Sequence, residues 1–349
     1  VSQLLKIAIT ADPELPVPPL HYGGIERIIA MLIRSYTAKG HQVGLFAHPD
    51  SMSQGVLYPY KGKSSNNKID FVMNSWLINK TLIRENFDIV HSFGRLGYLL
   101  PQLPLSIPKI MSYQREPTIP QVKKAIQLAK KNTLAFTGCS NYISSQIAPY
   151  APVSTVYNGV HVNDYTLQEN ISADAPLVFL GRIEAVKGVH LAIAIAQQTN
   201  KKLIIAGNIV PEHQLYFDEQ IKPHLNEQIS YIGPVNDQQK NELLGNCLAF
   251  LMPIQWDEPF GIVMIEAMAC GTPVIAFRRG AVPEVVREGV TGYIVNNVAE
   301  ACEKVTAVHL LDRTLVRQEA SNRFDSEIIA QNYLRLYKHH IEQIYPPVQ

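Results

Sequence analysis

No stretch of this 349-residue sequence approaches the run of ~18 to 20 apolar residues that a membrane-spanning helix requires, which argues against an integral helical membrane protein. Cysteine is scarce, and Cys139, Cys247, Cys270 and Cys302 are widely scattered. Such spacing offers neither a zinc site nor a redox pair, and the four read as small buried hydrophobes in a reducing cytoplasm. The start VSQLLKIAIT reads as a strand without a cleavage pattern, so a cytoplasmic location is expected. No G-x-G-x-x-G follows a strand and no G-x-x-x-x-G-K-[ST] occurs, which removes the dinucleotide fingerprint and the P-loop. A net charge of +1 gives no reason to expect a nucleic-acid partner.

What is present suits two domains, because 349 residues exceed one typical core. A hydrophobic fraction of 46% is ordinary for a globular chain. Charge is unevenly placed: residues 1–165 carry 16 Lys and Arg against 9 Asp and Glu, a net +7, and the remainder 15 against 21, a net −6. The front half therefore favours anionic partners.

Apolar periodicity alternates between strand and helix throughout. In the front half, strands are expected at 4–10, 42–47, 88–91, 109–113, 135–139 and 154–157, with helices at 24–39 and 73–85. A polar stretch at 163–175 reads as the linker. Strands at 177–180, 202–206, 228–232, 248–252, 274–277 and 292–295 form a second series. Such alternation builds parallel sheets with helices on both faces, and ligands bind beyond the carboxyl ends of the strands. His21, Gly23, Gly24, His91 and Gly94 fall at such ends in the first series. A glycine pair before a helix is more often a plain turn, and a lone strand-end histidine is more often structural than catalytic. The segment PQVKKAIQLAKKN sets Lys123, Lys124, Lys130 and Lys131 beside Val122, Ile126 and Leu128 on one expected helix. It reads as a solvated face or as a basic amphipathic segment resting on an anionic membrane, at the inner face of the cell membrane.

The stretch QWDEPFGIVMIEAMACGTPVIAF, from residue 255, carries the most chemistry. A helix is expected to begin near Phe260 or Gly261, with Ile262, Ile265, Met268 and Ala269 as its apolar stripe, and to end at Gly271. Its N-terminus, at Phe260, Gly261 and Ile262, offers free N–H groups and partial positive charge to an anion, most naturally phosphate. Glu258 before the helix and Glu266 in its second turn accept hydrogen bonds only, which suits sugar hydroxyls. They can equally be a capping and a surface glutamate. GRIEAVKG, after the first strand of the second series, adds Arg182 and Lys187, two cations able to neutralise a diphosphate.

Together GRIEAVKG, EPFGIVMIEAMACGTPVIAF and GVTGYIV closely resemble the retaining family 4 glycosyltransferases, whose two glutamates separated by seven residues belong to the donor site. YGGIER, DIVHSFG, TGCSNYISSQI and VYNGVHVNDY extend the likeness through the front half with less specific motifs. The resemblance implies the GT-B fold: an acceptor-side Rossmann-like domain at 1–165, a donor-binding one at 166–325 facing it across a cleft, and a helix at about 326–345 crossing back. It implies that Arg182 and Lys187 hold the donor diphosphate, that Glu266 grips ribose hydroxyls, and that Glu258 contacts the donor sugar beside the Phe260, Gly261 and Ile262 backbone. His91 would lie close to the reacting sugar, Gly23 and Gly24 would close over the phosphates, and Asn208 and Ile232 would hold the base. Glu258, His91, Arg182 and Lys187 are then the catalytic set.

The reading is a retaining transferase moving a hexosyl unit from a nucleotide-diphosphate sugar, UDP-glucose type favoured, to a hydroxyl of a glycan, glycolipid or small molecule. No metal and no cofactor are expected; the acidic Asp12-Pro13-Glu14 lies in the acceptor-side half. A non-catalytic nucleotide-sugar-binding or regulatory subunit of the same fold is the alternative.

Overall fold

The computed structural model describes residues 4–20, 23–172 and 174–346. The chain forms two compact units, Val1–Gly159 with Ser326–Gln349, and Val160–Asp325. The first break therefore falls before the polar stretch read as a linker. That stretch belongs to the second unit: the Thr166 amide donates to Asn241 Oδ1 at 3.0 Å and the Gln168 amide to the Cys270 carbonyl at 3.2 Å.

Unit 1 runs β1 (Lys6–Thr10), α1 (Gly24–Ala38), β2 (Gln42–Ala47), β3 (Val56–Pro59), α2 (Lys68–Glu85), β4 (Ile89–Ser92), β5 (Lys109–Tyr113), α3 (Ile119–Leu128), β6 (Leu134–Gly138), α4 (Asn141–Ile147) and β7 (Val153–Thr155). Among the described residues its sheet has the order β3-β2-β1-β4-β5-β6-β7, every pair parallel. Central strands are covered on both faces, so Ile7, Ala8, Ile9, Ile89 and Val90 are all fully buried.

Strand β3 and helix α4 were not expected from the sequence, and two further helices differ in their bounds. Helix α2 starts at Lys68, ahead of its apolar segment, because Asn67 Oδ1 caps it by accepting from the Ile69 amide at 2.9 Å. Helix α3 stops at Leu128, so Lys130 and Lys131 lie beyond it. Lys130 Nζ donates to Ser106 Oγ at 2.6 Å, and Lys123 stands 4.2 Å over the Tyr150 ring. The four lysines thus do not form one helical face. Among the described residues no helix is long and apolar enough to cross a membrane.

Unit 2 continues with β8 (Leu177–Leu180), α5 (Val189–Thr199), β9 (Leu203–Ala206), α6 (Gln214–Gln220), β10 (Ile229–Tyr231), α7 (Asp237–Gly245), β11 (Ala249–Met252), α8 (Ile262–Ala269), β12 (Val274–Phe277), α9 (Val282–Val285), β13 (Gly292–Val295), α10 (Val298–Ala307) and α11 (Arg313–Phe324). Its parallel sheet has the order β10-β9-β8-β11-β12-β13. The chain then returns to unit 1 as α12 (Ser326–Ile344), which packs Tyr337 edge-on against Tyr36 of α1.

Buried Arg313, at the start of α11, closes the amino-end side of unit 2. Its guanidinium donates to the carbonyls of Gln168 (2.5 Å), Cys247 (3.1 Å) and Gly245 (2.8 Å) and to Thr272 Oγ1 (2.6 Å). Removing it orphans several buried acceptors at once, each costing about 1 to 3 kcal/mol in the worst case. Arg313→Ala should lower the stability of unit 2 by roughly 3 kcal/mol, read as a shift in the denaturant midpoint at unchanged slope.

Candidate functional site

In each sheet the strand order reverses once, between β1 and β4 in unit 1 and between β8 and β11 in unit 2. Loops leaving the carboxyl ends of such neighbouring strands diverge and leave a crevice. In unit 2 these loops carry Arg182 and Lys187 after β8, and Glu258 after β11.

The β8 loop tightens into a 3₁₀ turn at Ala185–Lys187 and enters α5 through Gly188, whose φ is 79°. A Cβ on Gly188 would lie 2.0 Å from the Pro253 carbonyl oxygen, so only glycine lets this turn rest on the end of β11. The Gln255 amide, donating to the Val186 carbonyl at 2.8 Å, fastens the two loops. Glu258 is fixed from the other side: its carbonyl accepts from the Ala281 amide at 2.9 Å. Neighbouring Asp257 accepts from the Gly280 amide at 3.1 Å. A Cβ on Gly280 would come within 2.3 Å of the Glu258 carbonyl oxygen.

This scaffolding brings Lys187 and Glu258 into direct contact. Lys187 Nζ lies 2.7 Å from Glu258 Oε2, which also accepts from Trp256 Nε1 at 2.8 Å, while the ammonium stands 4.9 Å over the Trp256 ring. Arg182, read from the sequence as the partner of Lys187, makes a different ion pair, 2.9 Å to Glu184 Oε1; His213 Nε2 lies 3.2 Å from Glu184 Oε2.

Helix α8 begins at Ile262 rather than at Phe260 or Gly261. Gly261 caps it in the left-handed conformation at φ 82°, and Phe260 is buried edge-on against Phe324. Phe260 therefore contributes only backbone to the crevice. Glu266 sits deep in α8 at 3% exposure, where its Oε1 accepts from Tyr165 Oη at 2.8 Å and from Lys240 Nζ at 2.5 Å. One carboxylate oxygen is thereby committed to the protein, which fixes the direction of the other. Asn208 lies after β9, where its carbonyl accepts from the Ile183 amide at 3.0 Å. Ile232 follows β10 with an exposed side chain and an amide donated to the Ile205 carbonyl.

In unit 1, Gly23 caps α1, and a Cβ there would meet the Pro19 Cβ at 2.7 Å. Beside Gly23 and Gly24 lies buried Glu26, its carboxyl pushed up mainly by burial, a neighbour that disfavours phosphate when ionised. His21 lies outside the described residues.

His91 departs most from the sequence reading. It is fully buried, with Nε2 2.6 Å from Ser112 Oγ and Nδ1 bonded to Tyr337 Oη. Phe93 packs over it, ring centres 4.1 Å apart, and is the residue that reaches the crevice. With both ring nitrogens held by the protein, His91 is a core histidine that ties α12 to the sheet, and it leaves the catalytic set.

Trp256, Lys240, Tyr165 and Gly280 were missed from sequence. Trp256 was within reach as the indole two residues before Glu258. Lys240 and Tyr165 carry no local signal, because only the tertiary fold brings them to Glu266.

Two family models match the chain: "Glycosyltransferase Family 4" over residues 22–164 and "Glycosyl transferases group 1" over residues 168–325. The chain belongs to the family 4 glycosyltransferases. Its relatives include spore coat protein SA of Bacillus subtilis (strain 168), 25% identical over 96% of this chain and 99% of that one. N-acetyl-alpha-D-glucosaminyl L-malate synthase of Bacillus anthracis is 23% identical over 95% and 96%. Among solved structures, Anabaena HepE in complex with UDP and glucose superposes at a TM-score of 0.74, with 19% identity over 96% of this chain and 100% of that one. The fold of this glycosyltransferase is accordingly GT-B, with two Rossmann-like units.

Burial holds the His91 imidazole down to about 3. The unfolded chain takes up this proton near pH 6.5 and the folded one does not until about pH 3, so stability is full above pH 6.5 and falls as pH drops through that window. The His91 contribution should approach 1.4 kcal/mol per pH unit below pH 6. In chemical denaturation from pH 7.5 to 4.5, His91→Gln should show a visibly flatter stability profile than the parent.

Proposed function

We propose that this glycosyltransferase is a retaining hexosyltransferase that takes its sugar from a UDP-sugar of the UDP-glucose type bound by unit 2, and passes it to an acceptor hydroxyl. The observation that carries the reading is the Lys187–Glu258 contact at 2.7 Å, at the switch point and one loop ahead of the α8 N-terminus. It puts a mobile cation, a hydroxyl-binding carboxylate and a helix dipole into one crevice, which is the set a diphosphate-sugar needs.

In the proposed mechanism the donor diphosphate draws Lys187 off Glu258, with Arg182 as the second cation. The freed Glu258 carboxylate, still held by Trp256, accepts hydrogen bonds from the sugar. As the anomeric carbon–oxygen bond lengthens, negative charge grows on the phosphate, where Lys187, Arg182 and the Gly261 and Ile262 backbone stabilise it. Glu266 accepts the ribose hydroxyls on the oxygen that Tyr165 and Lys240 leave available, and Asn208 and the Ile232 region flank the base. No side chain serves as a covalent nucleophile, and the departing phosphate takes the acceptor proton. HepE, solved with UDP and glucose, supports the choice of UDP. The relative named for L-malate supports a small hydroxyl acceptor. The alternative, a non-catalytic nucleotide-sugar-binding subunit, predicts tight UDP binding with no turnover of any nucleotide sugar.

Glu266→Ala should weaken UDP binding about 10- to 100-fold, the loss of one or two hydrogen bonds to a charged group; unchanged affinity in calorimetry would remove Glu266 from the ribose. Glu258→Gln should lower kcat at least tenfold with little change in UDP affinity, since its contacts are to the sugar. An equal kcat would place the sugar elsewhere. As the scheme routes no step through a metal, turnover of UDP-glucose should be the same with and without EDTA.

A further inference from the structure

Helix α2 of unit 1 carries its apolar residues on the outside. Asn67 caps it, and it runs without a break from Lys68 to Glu85. Its buried residues are Asn74, Ser75, Ile78, Thr81 and Leu82, three of them polar. Asn74 holds the preceding loop, accepting from the Gly62 amide at 2.9 Å and donating to the Gly62 carbonyl at 3.0 Å. The residues left in water are the more apolar set: Ile69, Val72, Met73, Trp76 and Ile83, at 70%, 64%, 39%, 61% and 65% exposure.

A surface helix ordinarily does the reverse, turning apolar side chains to the core and polar ones to solvent. Single exposed apolar residues are common and need no explanation. These five are not scattered. At 3.6 residues per turn they fall, together with Lys80, inside an arc of about 100° and form one stripe about four turns long. A contiguous apolar face rimmed by polar groups marks a contact surface.

Charge decides what the stripe meets. Residues 61–85 carry Lys61, Lys63, Lys68, Lys80 and Arg84 against Asp70 and Glu85, a net +3. Both acids are bonded within the protein. Asp70 accepts from the Lys63 and Ser64 amides at 2.9 and 3.1 Å, and Glu85 pairs with Lys6 at 3.2 Å and Arg84 at 3.0 Å. Lys80, inside the stripe, stands 4.9 Å over the Trp76 ring. A second copy of the chain is a poor occupant, because a symmetric pairing of this face sets two net +3 segments against each other. An anionic bilayer answers both features, its acyl boundary taking the apolar side chains and its phosphates the cations.

We propose that α2 is a membrane-docking helix that lies in the headgroup layer of an anionic bilayer. Ile69, Val72, Met73 and Ile83 enter the acyl boundary, Trp76 rests at headgroup level, and Lys68, Lys80 and Arg84 meet lipid phosphates. One such helix holds the protein reversibly at the surface and does not insert it. The docking stands independently of the transferase reading.

The test is flotation of the full chain with vesicles of phosphatidylcholine alone and of phosphatidylcholine and phosphatidylglycerol in equal parts. The parent should partition onto the anionic vesicles about tenfold or more over the neutral ones, and lose most of that advantage at about 0.5 M NaCl. Trp76→Ser with Ile83→Ser, and separately Lys68→Glu with Lys80→Glu, should each abolish it, with denaturant midpoints near the parent's because the changed residues are exposed. Should the first pair fail to fold, the charge pair decides alone. Tryptophan emission should move to shorter wavelength on anionic vesicles, and Trp76→Phe, which leaves Trp256 as the remaining tryptophan, should lose that shift. Equal partitioning onto both vesicles, no partitioning onto either, or binding that survives both substitution pairs overturns the proposal. A parent that is a dimer by light scattering, and becomes a monomer with Trp76→Ser and Ile83→Ser, gives the face to a second copy and overturns it as well.

Discussion

Parallel pairing is the constraint from which the rest of this molecule follows. A parallel strand can be joined to its neighbour only by a crossover, so both faces of each sheet are roofed by helices and the strands become largely apolar. The polar side chains that remain on the strands, such as Thr10, Ser92 and Ser112, are bonded within the protein, and those open to a ligand collect where chains leave the strands. In unit 2, Lys187 and Glu258 stand there, after β8 and β11. The reversal of strand order in each sheet widens these loops into a crevice, and glycines such as Gly188 and Gly280 let their backbones meet.

In unit 2 the charges are already paired, Lys187 with Glu258 and Lys240 with Glu266. A ligand there must trade one ion pair for another, which favours a ligand that supplies both anion and hydroxyls.

Much of unit 2 was legible in sequence because its signals are local. Gly261 before an apolar stripe, two glutamates around a helix start, and Arg182 with Lys187 after an apolar run all act within a few residues of where they stand. What could not be read was pairing across the fold. Lys240, from a helix with no distinguishing pattern, goes to Glu266. In unit 1 the strand-end His91 was open to a structural or a catalytic reading, and only the family resemblance set it beside the reacting sugar. The ring of Phe93 and the hydroxyls of Tyr337 and Ser112 instead enclose it, and Tyr337 arrives from a helix 246 residues away in sequence. The lysines at 123–131 do not share one helix, because α3 ends at Leu128.

That long-range enclosure has a bearing on how the chain is made. Tyr36 and His91 are buried by Tyr337, and Ser112 contacts Tyr333, both from α12. The first unit to emerge from the ribosome is thus the last to be finished, since its closing helix is encoded after the whole of Val160–Asp325. Through most of synthesis the tyrosine and histidine seat on α1 and β4 stays uncovered, and the contiguous second unit is the one free to complete its core first. The residues that complete unit 1 are thus encoded after all of those that build unit 2.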